Sequence, residues 1–274
     1  MSNLYVQALH IHPVKSVAGT APDEMAVEPW GLSGDRRWAL VDTEGTVITQ
    51  RQQPRLALAA ARPLGGGAVA LSAPGMAELT VEVPEPGPLE PVTLFGKKIE
   101  TVVAASAAAD WFSAYLGVPA RLVHMDDPAV RRPVDPQYAL PGETVSLADG
   151  YPVLLTTLAS LDALNSLIAQ GDHPEEGPLP MNRFRPNVVV AGAEAWAEDG
   201  WRRLAIGDAV FRGARECGRC IVTTTDQATA ERGKEPLKTL ARHRRIGKSL
   251  AFGRQLVPVR TGTVRVGDEV RVLE

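Results

Sequence analysis

Cysteine is scarce in this chain: among 274 residues only Cys217 and Cys220 occur. A disulfide scaffold of the small secreted kind is thereby excluded. Charge of one sign is missing too, with 29 Lys and Arg against 32 Asp and Glu and a net of −3. That balance carries no electrostatic footprint for nucleic acid or for an anionic membrane surface. Long apolar runs are also lacking. The most apolar stretch, Leu56 to Leu71, is interrupted by Arg62, Pro63 and three glycines and cannot span a bilayer. Nor does Met1-Ser2-Asn3-Leu4 open with the basic and then apolar pattern of an export signal. The expectation is a cytoplasmic protein that engages neither nucleic acid nor membrane.

Turn formers are plentiful: 25 glycines and 22 prolines make up ~17% of the chain, against ~12% in an average protein. Such a chain changes direction often, which favours many short strands. The length predicts one large or two ordinary domains at roughly 150 residues each. A strand with apolar residues on both faces is expected over 4–11, stopped by Pro13. Residues 37–42 and 46–49 read as a hairpin turned at Gly45. Residues 91–95 and 99–103 read as another, with Gly96-Lys97-Lys98 as its turn.

Helices are few. Ser106 suits the cap of one that places Trp111, Phe112, Tyr115 and Leu116 on a stripe and ends at Gly117. A second begins at Ser160, with Leu161, Leu164 and Ile168 on one face, and a third covers 235–244 with Pro236 in its first turn. Residues 187–190 read as a buried strand. Gly207-Asp208 and Gly267-Asp268 both sit between alternating apolar runs, as two-residue hairpin turns do. The fold class expected is α+β, mainly β, with a few short helices.

The pair Cys217-Gly218-Arg219-Cys220 admits several chemistries. A structural zinc site needs four ligands, and the five histidines are scattered. A thiol–disulfide oxidoreductase places such a pair at a helix start, whereas Ile221-Val222-Thr223-Thr224-Thr225 is β-branched and strand-like. One buried structural thiol beside a bystander is the plain alternative. A thiolate ligand to a soft metal is the last, and the adjacent Arg219 is a cation that favours the thiolate form. Lys15-Ser16, Arg36-Arg37, Arg183 and Arg185 lie where strands begin or end. Cations so placed can converge on an anion such as a phosphate.

Taken in order, Ile11-His12-Pro13-Val14-Lys15-Ser16, Gly34-Asp35-Arg36-Arg37-Trp38, Thr49-Gln50-Arg51 and Pro54-Arg55-Leu56 resemble the N-terminal β-barrel domain of MOSC proteins. Phe184-Arg185-Pro186-Asn187, Ala197-Glu198-Asp199, Ile206-Gly207-Asp208 and Cys217-Gly218-Arg219-Cys220 resemble the MOSC domain that follows it. Thr224-Thr225-Asp226, Glu235-Pro236-Leu237-Lys238-Thr239-Leu240, Phe252-Gly253 and Val266-Gly267-Asp268 continue the likeness to the end. The resemblance implies a β-barrel-like N-terminal domain over 1–120 and a MOSC β-barrel domain over 121–274.

The family includes the mitochondrial amidoxime-reducing component and bacterial relatives. Membership implies a molybdenum cofactor (molybdenum-molybdopterin) whose metal is held by a protein cysteine. Carried over by motif, Cys220 is the implied molybdenum ligand and catalytic anchor, with Arg219 supporting its thiolate. Lys15, Ser16, Arg36, Arg185, Asn187, Gly218 and Arg219 are the implied holders of pterin and phosphate. The chemistry is coherent: an anionic, sulfur-bearing pterin gives the cations a partner, and a soft thiolate suits such a metal. The implied activity is that of an oxidoreductase, reducing N-hydroxylated compounds or carrying out a related oxygen-atom transfer. Its substrate is a small N-oxygenated molecule, and its electrons come from separate proteins, because no cysteines are spare for an iron–sulfur module. Two rival expectations are a non-catalytic cofactor carrier or sulfur-transfer protein, and a dithiol redox protein using Cys217 and Cys220. Three residues depart from the family's pattern. His12 stands for a tyrosine, Val17 for a small polar residue or cysteine, and Gln227 for a proline.

Overall fold

A computed structural model describes residues 3–274, so Met1 and Ser2, which entered the N-terminal reading, lie outside it. The expected mainly β fold forms, in barrel-like sheets. The largest sheet orders its strands Tyr5–Leu9, Val188–Ala191, Val153–Thr157, Ser249–Arg260, Ala209–Gly218, Arg203–Ile206 and Val270–Val272. Its two ends meet. The Val6 N–H donates to Asp268 O at 2.9 Å and the Val270 N–H to Leu4 O at 2.9 Å, which nearly closes the barrel. Val6, Leu9, Leu155, Val188, Phe211 and Leu256 fill the interior with no exposed surface. One pair, Val153–Thr157 beside Val188–Ala191, is parallel. Parallel neighbours need a crossover, and the helix Leu158–Ala169 supplies it, burying Leu161, Leu164 and Ile168.

The second sheet runs Val47–Ile48, Trp38–Val41, Arg121–His124, Lys97–Val103 and Glu90–Leu94. It too is drawn round on itself, the Thr93 N–H donating to Gly45 O at 2.8 Å. The helix Ser106–Leu116 packs Trp111, Phe112, Tyr115 and Leu116 into its core, and Gly117, at φ 71°, ends the helix as expected. Strands from both sides of residue 120 share sheets. Tyr5–Leu9 pairs with Val188–Ala191, Glu24–Glu28 with Gly262–Arg265, and Arg121–His124 lies between Trp38–Val41 and Lys97–Val103. The two halves of the chain interlock, and loops from both reach one place.

Several local expectations are corrected. The first strand covers only Tyr5–Leu9, with a register shift between Val6 and Ala8. The crossover helix begins at Leu158, two residues before Ser160, and Thr157 caps it, accepting from the Ser160 N–H at 3.1 Å. Ala105 is the residue before the helix at Ser106, and no side chain caps it. The last helix is limited to Leu237–His243. Gly207-Asp208 does turn a hairpin, Ile206 facing Ala209. Gly267-Asp268 does not: the strand before it pairs with Glu24–Glu28 and the strand after it with Arg203–Ile206. The Ile221–Thr224 run is a single 3-10 turn rather than a strand, because Thr223 and Thr224 donate their hydroxyls to Cys220 O and Ile221 O, both at 2.9 Å.

Candidate functional site

Every residue expected at the site lines one cleft between the two sheets. Lys15 and Ser16 follow the first strand, Arg36 precedes Trp38–Val41, Arg185 and Asn187 precede Val188–Ala191, and Gly218 ends Ala209–Gly218. Arg219 and Cys220 continue from that strand. Six cationic side chains reach the cleft, Lys15, Arg36, Arg51, Arg183, Arg185 and Arg219; Asp149 is the one carboxylate in its lining, while Asp35 and Asp226 pair with Arg36 and Arg183 from behind it. The backbone is bent to bring them there. Ser16 (φ 67°), Arg36 (φ 47°) and Arg185 (φ 52°) all occupy the left-handed region, which non-glycine residues avoid unless surrounding contacts impose it.

A small ion network lines part of the cleft. Lys15 Nζ donates to Asp149 Oδ1 at 2.5 Å and to Leu147 O at 2.8 Å. Burial lowers the Lys15 ammonium to about 8, with Asp149 opposing the fall. Burial acts to raise the Asp149 carboxyl, but Lys15 and Arg51 outweigh it and hold it well below the usual carboxylate range. Arg132, itself buried, donates to the carbonyls of Ser146, Ala148 and Asp149 and so fixes the segment that presents this carboxylate. Arg36 donates to Asp35, Asn187 Oδ1 and Arg185 O. Burial, and then repulsion from Arg36, lowers Arg185.

Two buried guanidinium nitrogens at the cleft, Arg219 Nη2 and Arg183 Nε, have no hydrogen-bond partner. Unpaired buried donors are costly, so a cleft with several cations and orphaned N–H groups is built for an anion. Cys220 Sγ stands 3.2 Å from Arg51 Nη2, which also donates to Asp149 Oδ2 at 3.2 Å. Cys217 is buried, its thiol pushed up by burial, and its sulfur accepts from Gln255 Nε2 at 3.0 Å. Both cysteines are free thiols.

Comparison with known proteins fits this geometry. Residues 3–119 match the MOSC N-terminal beta barrel domain and residues 142–271 the MOSC domain. The chain belongs to the MOSC family. It is 35% identical over 287 aligned positions to the mitochondrial amidoxime-reducing component 1 of Homo sapiens, covering 98% of this chain and 82% of that one. To the mitochondrial amidoxime reducing component 2 of Rattus norvegicus it is 34% identical, covering 97% of this chain and 82% of the relative. It is also 29% identical to the molybdenum cofactor sulfurase of Oryza sativa subsp. japonica, covering 92% of this chain but only 32% of that longer protein. No helix among the described residues is long and apolar enough to cross a membrane.

In this MOSC protein Arg219 is fixed by backbone carbonyls and aromatic rings. Its Nε donates to Phe252 O at 2.8 Å and its Nη1 to Phe184 O at 3.1 Å, with both phenyl rings within 6 Å of the guanidinium. The cation within hydrogen-bond distance of the Cys220 sulfur is Arg51. Asn187 is almost wholly buried: Oδ1 accepts from Arg36 and from the Leu154 N–H at 3.1 Å, and Nδ2 donates to His10 O at 3.2 Å. Its observed work is to hold Arg36 and two strand ends together. Asp149 and Arg51 were not picked out from the sequence. Arg51 stood inside a family motif without a role, whereas Asp149, in Leu147-Ala148-Asp149-Gly150, carried no signal of its own.

Proposed function

We propose that this protein is a molybdenum-cofactor-dependent oxidoreductase that reduces N-hydroxylated compounds. One observation carries the reading: a cysteine thiol and six cations share a cleft with a single carboxylate. The likeness to amidoxime-reducing components over 98% of the chain supports the reaction class. The residues fit the group chemically, since an anionic phosphorylated pterin answers the cations and the orphaned donors of Arg183 and Arg219. Cys220 would supply the protein sulfur to the metal, and Lys15, Ser16, Arg36, Arg185 and Arg219 would surround the pterin and phosphate.

When bound, the cofactor supplies two-electron reduction of an N–OH group, which takes two protons and yields the N–H compound and water. The chain's own part is to bind, orient and balance charge. Lys15, lowered to about 8, keeps its proton at neutral pH and presents a fixed cation beside Asp149. Arg51 bridges Asp149 to the Cys220 sulfur, so the one carboxylate orients the cation that faces the proposed ligand. Arg36, locked by Asp35 and Asn187, and Arg185, which donates to Val17 O at 2.8 Å, are pre-set and need little reorganisation on binding.

The test is metal analysis and turnover of protein made in a cofactor-competent host. Wild type is expected to carry molybdenum and to reduce an amidoxime with a reduced dye as donor. Cys220→Ser is expected to lose turnover by roughly 100-fold or more and to hold less metal. Wild type without molybdenum, or Cys220→Ser with undiminished metal and turnover, overturns the assignment. The sulfurase relative favours one second reading, a cofactor carrier or sulfur-transfer protein. A carrier would bind molybdenum and show no turnover above free cofactor.

A further inference from the structure

The turn between strands Glu90–Leu94 and Lys97–Val103 has two residues, Phe95 and Gly96, because Leu94 pairs directly with Lys97. Phe95 has φ 52° and Gly96 φ 76°. Positive φ at both positions is what a tight hairpin with right-handed strand twist requires, and asparagine, aspartate or glycine normally meets it. A phenylalanine in the first position is strained, since its Cβ opposes the left-handed region and its bulk gains nothing from a turn.

Burial does not compensate: Phe95 is 53% exposed. Its neighbours are the cleft's own cations. The ring centroid lies 5.0 Å from the Arg51 guanidinium carbon and 5.5 Å from Lys15 Nζ. Among the described residues six non-glycines have positive φ, and three of them, Ser16, Arg36 and Arg185, line the cleft. Phe95, at the tip of a hairpin of the second sheet, does not itself line the cleft but touches two cations that do, Lys15 and Arg51. Strain concentrated at one site, and kept where an asparagine would relieve it, is the mark of a residue held for what it contacts.

We propose that Phe95 is a specificity-determining residue, an aromatic wall beside the cleft that stacks on the planar aryl part of an N-hydroxylated substrate. The inference rests on the reductase reading above and names the substrate class for that same site. Lys15 and Arg51 lie over the ring and anchor it, and its exposed surface is left for the substrate. An aryl ring offset over Phe95 gains the stacking attraction of an aromatic pair, which an alkyl group of similar reach does not.

The experiment compares holoenzyme of wild type, Phe95→Asn and Phe95→Tyr on benzamidoxime and acetamidoxime, with a reduced dye as electron donor. Phe95→Asn is expected to raise KM for benzamidoxime roughly 3- to 10-fold at little changed kcat and to leave KM for acetamidoxime unchanged. Phe95→Tyr keeps the wild-type KM. Thermal unfolding of Phe95→Asn at an unchanged or higher Tm shows that the fold is intact, as expected when turn strain is relieved. Calorimetric binding of benzamidine and acetamidine gives a readout independent of turnover, and only benzamidine affinity should fall. Equal KM for benzamidoxime in wild type and Phe95→Asn overturns the proposal, and so does an equal rise for both substrates. Wild type that reduces neither amidoxime refutes the reductase reading instead. The wall is then judged by benzamidine affinity alone: a loss in Phe95→Asn upholds it, and an unchanged value overturns it.

Discussion

Lys15 shows how a single residue here serves a site at the expense of the fold. Its ammonium is buried, answered by Asp149 and Leu147 O, and burial lowers it to about 8. An unfolded lysine titrates near ~10.4, so between these values the folded chain has given up a proton that the unfolded chain still holds. Stability contributed by Lys15 therefore rises with pH from about 8 towards 10, and below 8 it is constant at its lowest value. Apoprotein is expected to gain on the order of 2 kcal/mol from this group over that window. Urea unfolding at pH 8 and 10 checks it by difference, since Lys15→Met should lack the gain. Lys15 was legible in the sequence because it stands in a family motif at a strand end. Asp149 was not, because an Asp-Gly after apolar residues reads as a turn until the fold sets it 2.5 Å from Lys15. Arg219 was legible as a cation beside Cys220, but not its hydrogen bonds to Phe252 O and Phe184 O, because adjacency in sequence does not say where a guanidinium donates.

Elements were legible where turn chemistry decides them. Gly45 turns its hairpin at φ 78° and Gly117 ends its helix, both roles that glycine alone fills cheaply. Propensity misled in Ile221–Thr224, where β-branched residues form a 3-10 turn through local hydroxyl bonds, and in the Phe95 turn, where a residue suited to a strand occupies the tip. Pairing partners misled at Gly267-Asp268, because the strands on either side belong to different sheets. The strand Ser249–Arg260 holds the element most exposed to test. Gly253 has φ 82°, and a Cβ there would lie 2.7 Å from Leu155 O. Its neighbour Phe252 stacks on Phe184 at 4.0 Å and accepts the Arg219 bond. Gly253→Ala is expected to cost about 2–3 kcal/mol in apoprotein and to reduce cofactor content by shifting Arg219. Gly75 has φ 78° with open space around it, so Gly75→Ala should cost only about 1 kcal/mol. Denaturant midpoints of the two variants, measured side by side, separate close approach from backbone strain.

At the scale of the whole molecule, a near-neutral chain concentrates cations in one place. The net charge of −3 says nothing of a cleft lined by six cations and one carboxylate, with two of the cations paired to Asp35 and Asp226. Interlocked sheets make this possible: Lys15, Arg36 and Arg51 come from the first part of the chain, and Arg183, Arg185 and Arg219 from the last. Two sets of contacts tie the parts together near Arg51, a reciprocal amide pair between Gln50 and Gln227 and the Arg232 guanidinium on the carbonyls of Gln50 and Arg51. Folding thus gathers like charges before any ligand arrives, and an anion that binds there should stabilise the native state by mass action. Each tenfold rise of anion above its dissociation constant adds about 1.4 kcal/mol, or roughly 3–5 °C in Tm for a chain of this size. Pyrophosphate is therefore expected to raise the Tm of apoprotein well beyond chloride at equal ionic strength, because chloride only screens. Arg36→Ala and Arg185→Ala should lose the pyrophosphate increment and keep the chloride response. Equal effects of the two salts on wild type would mean that these cations act as a screened surface and not as a site, and the cofactor assignment would lose its electrostatic basis.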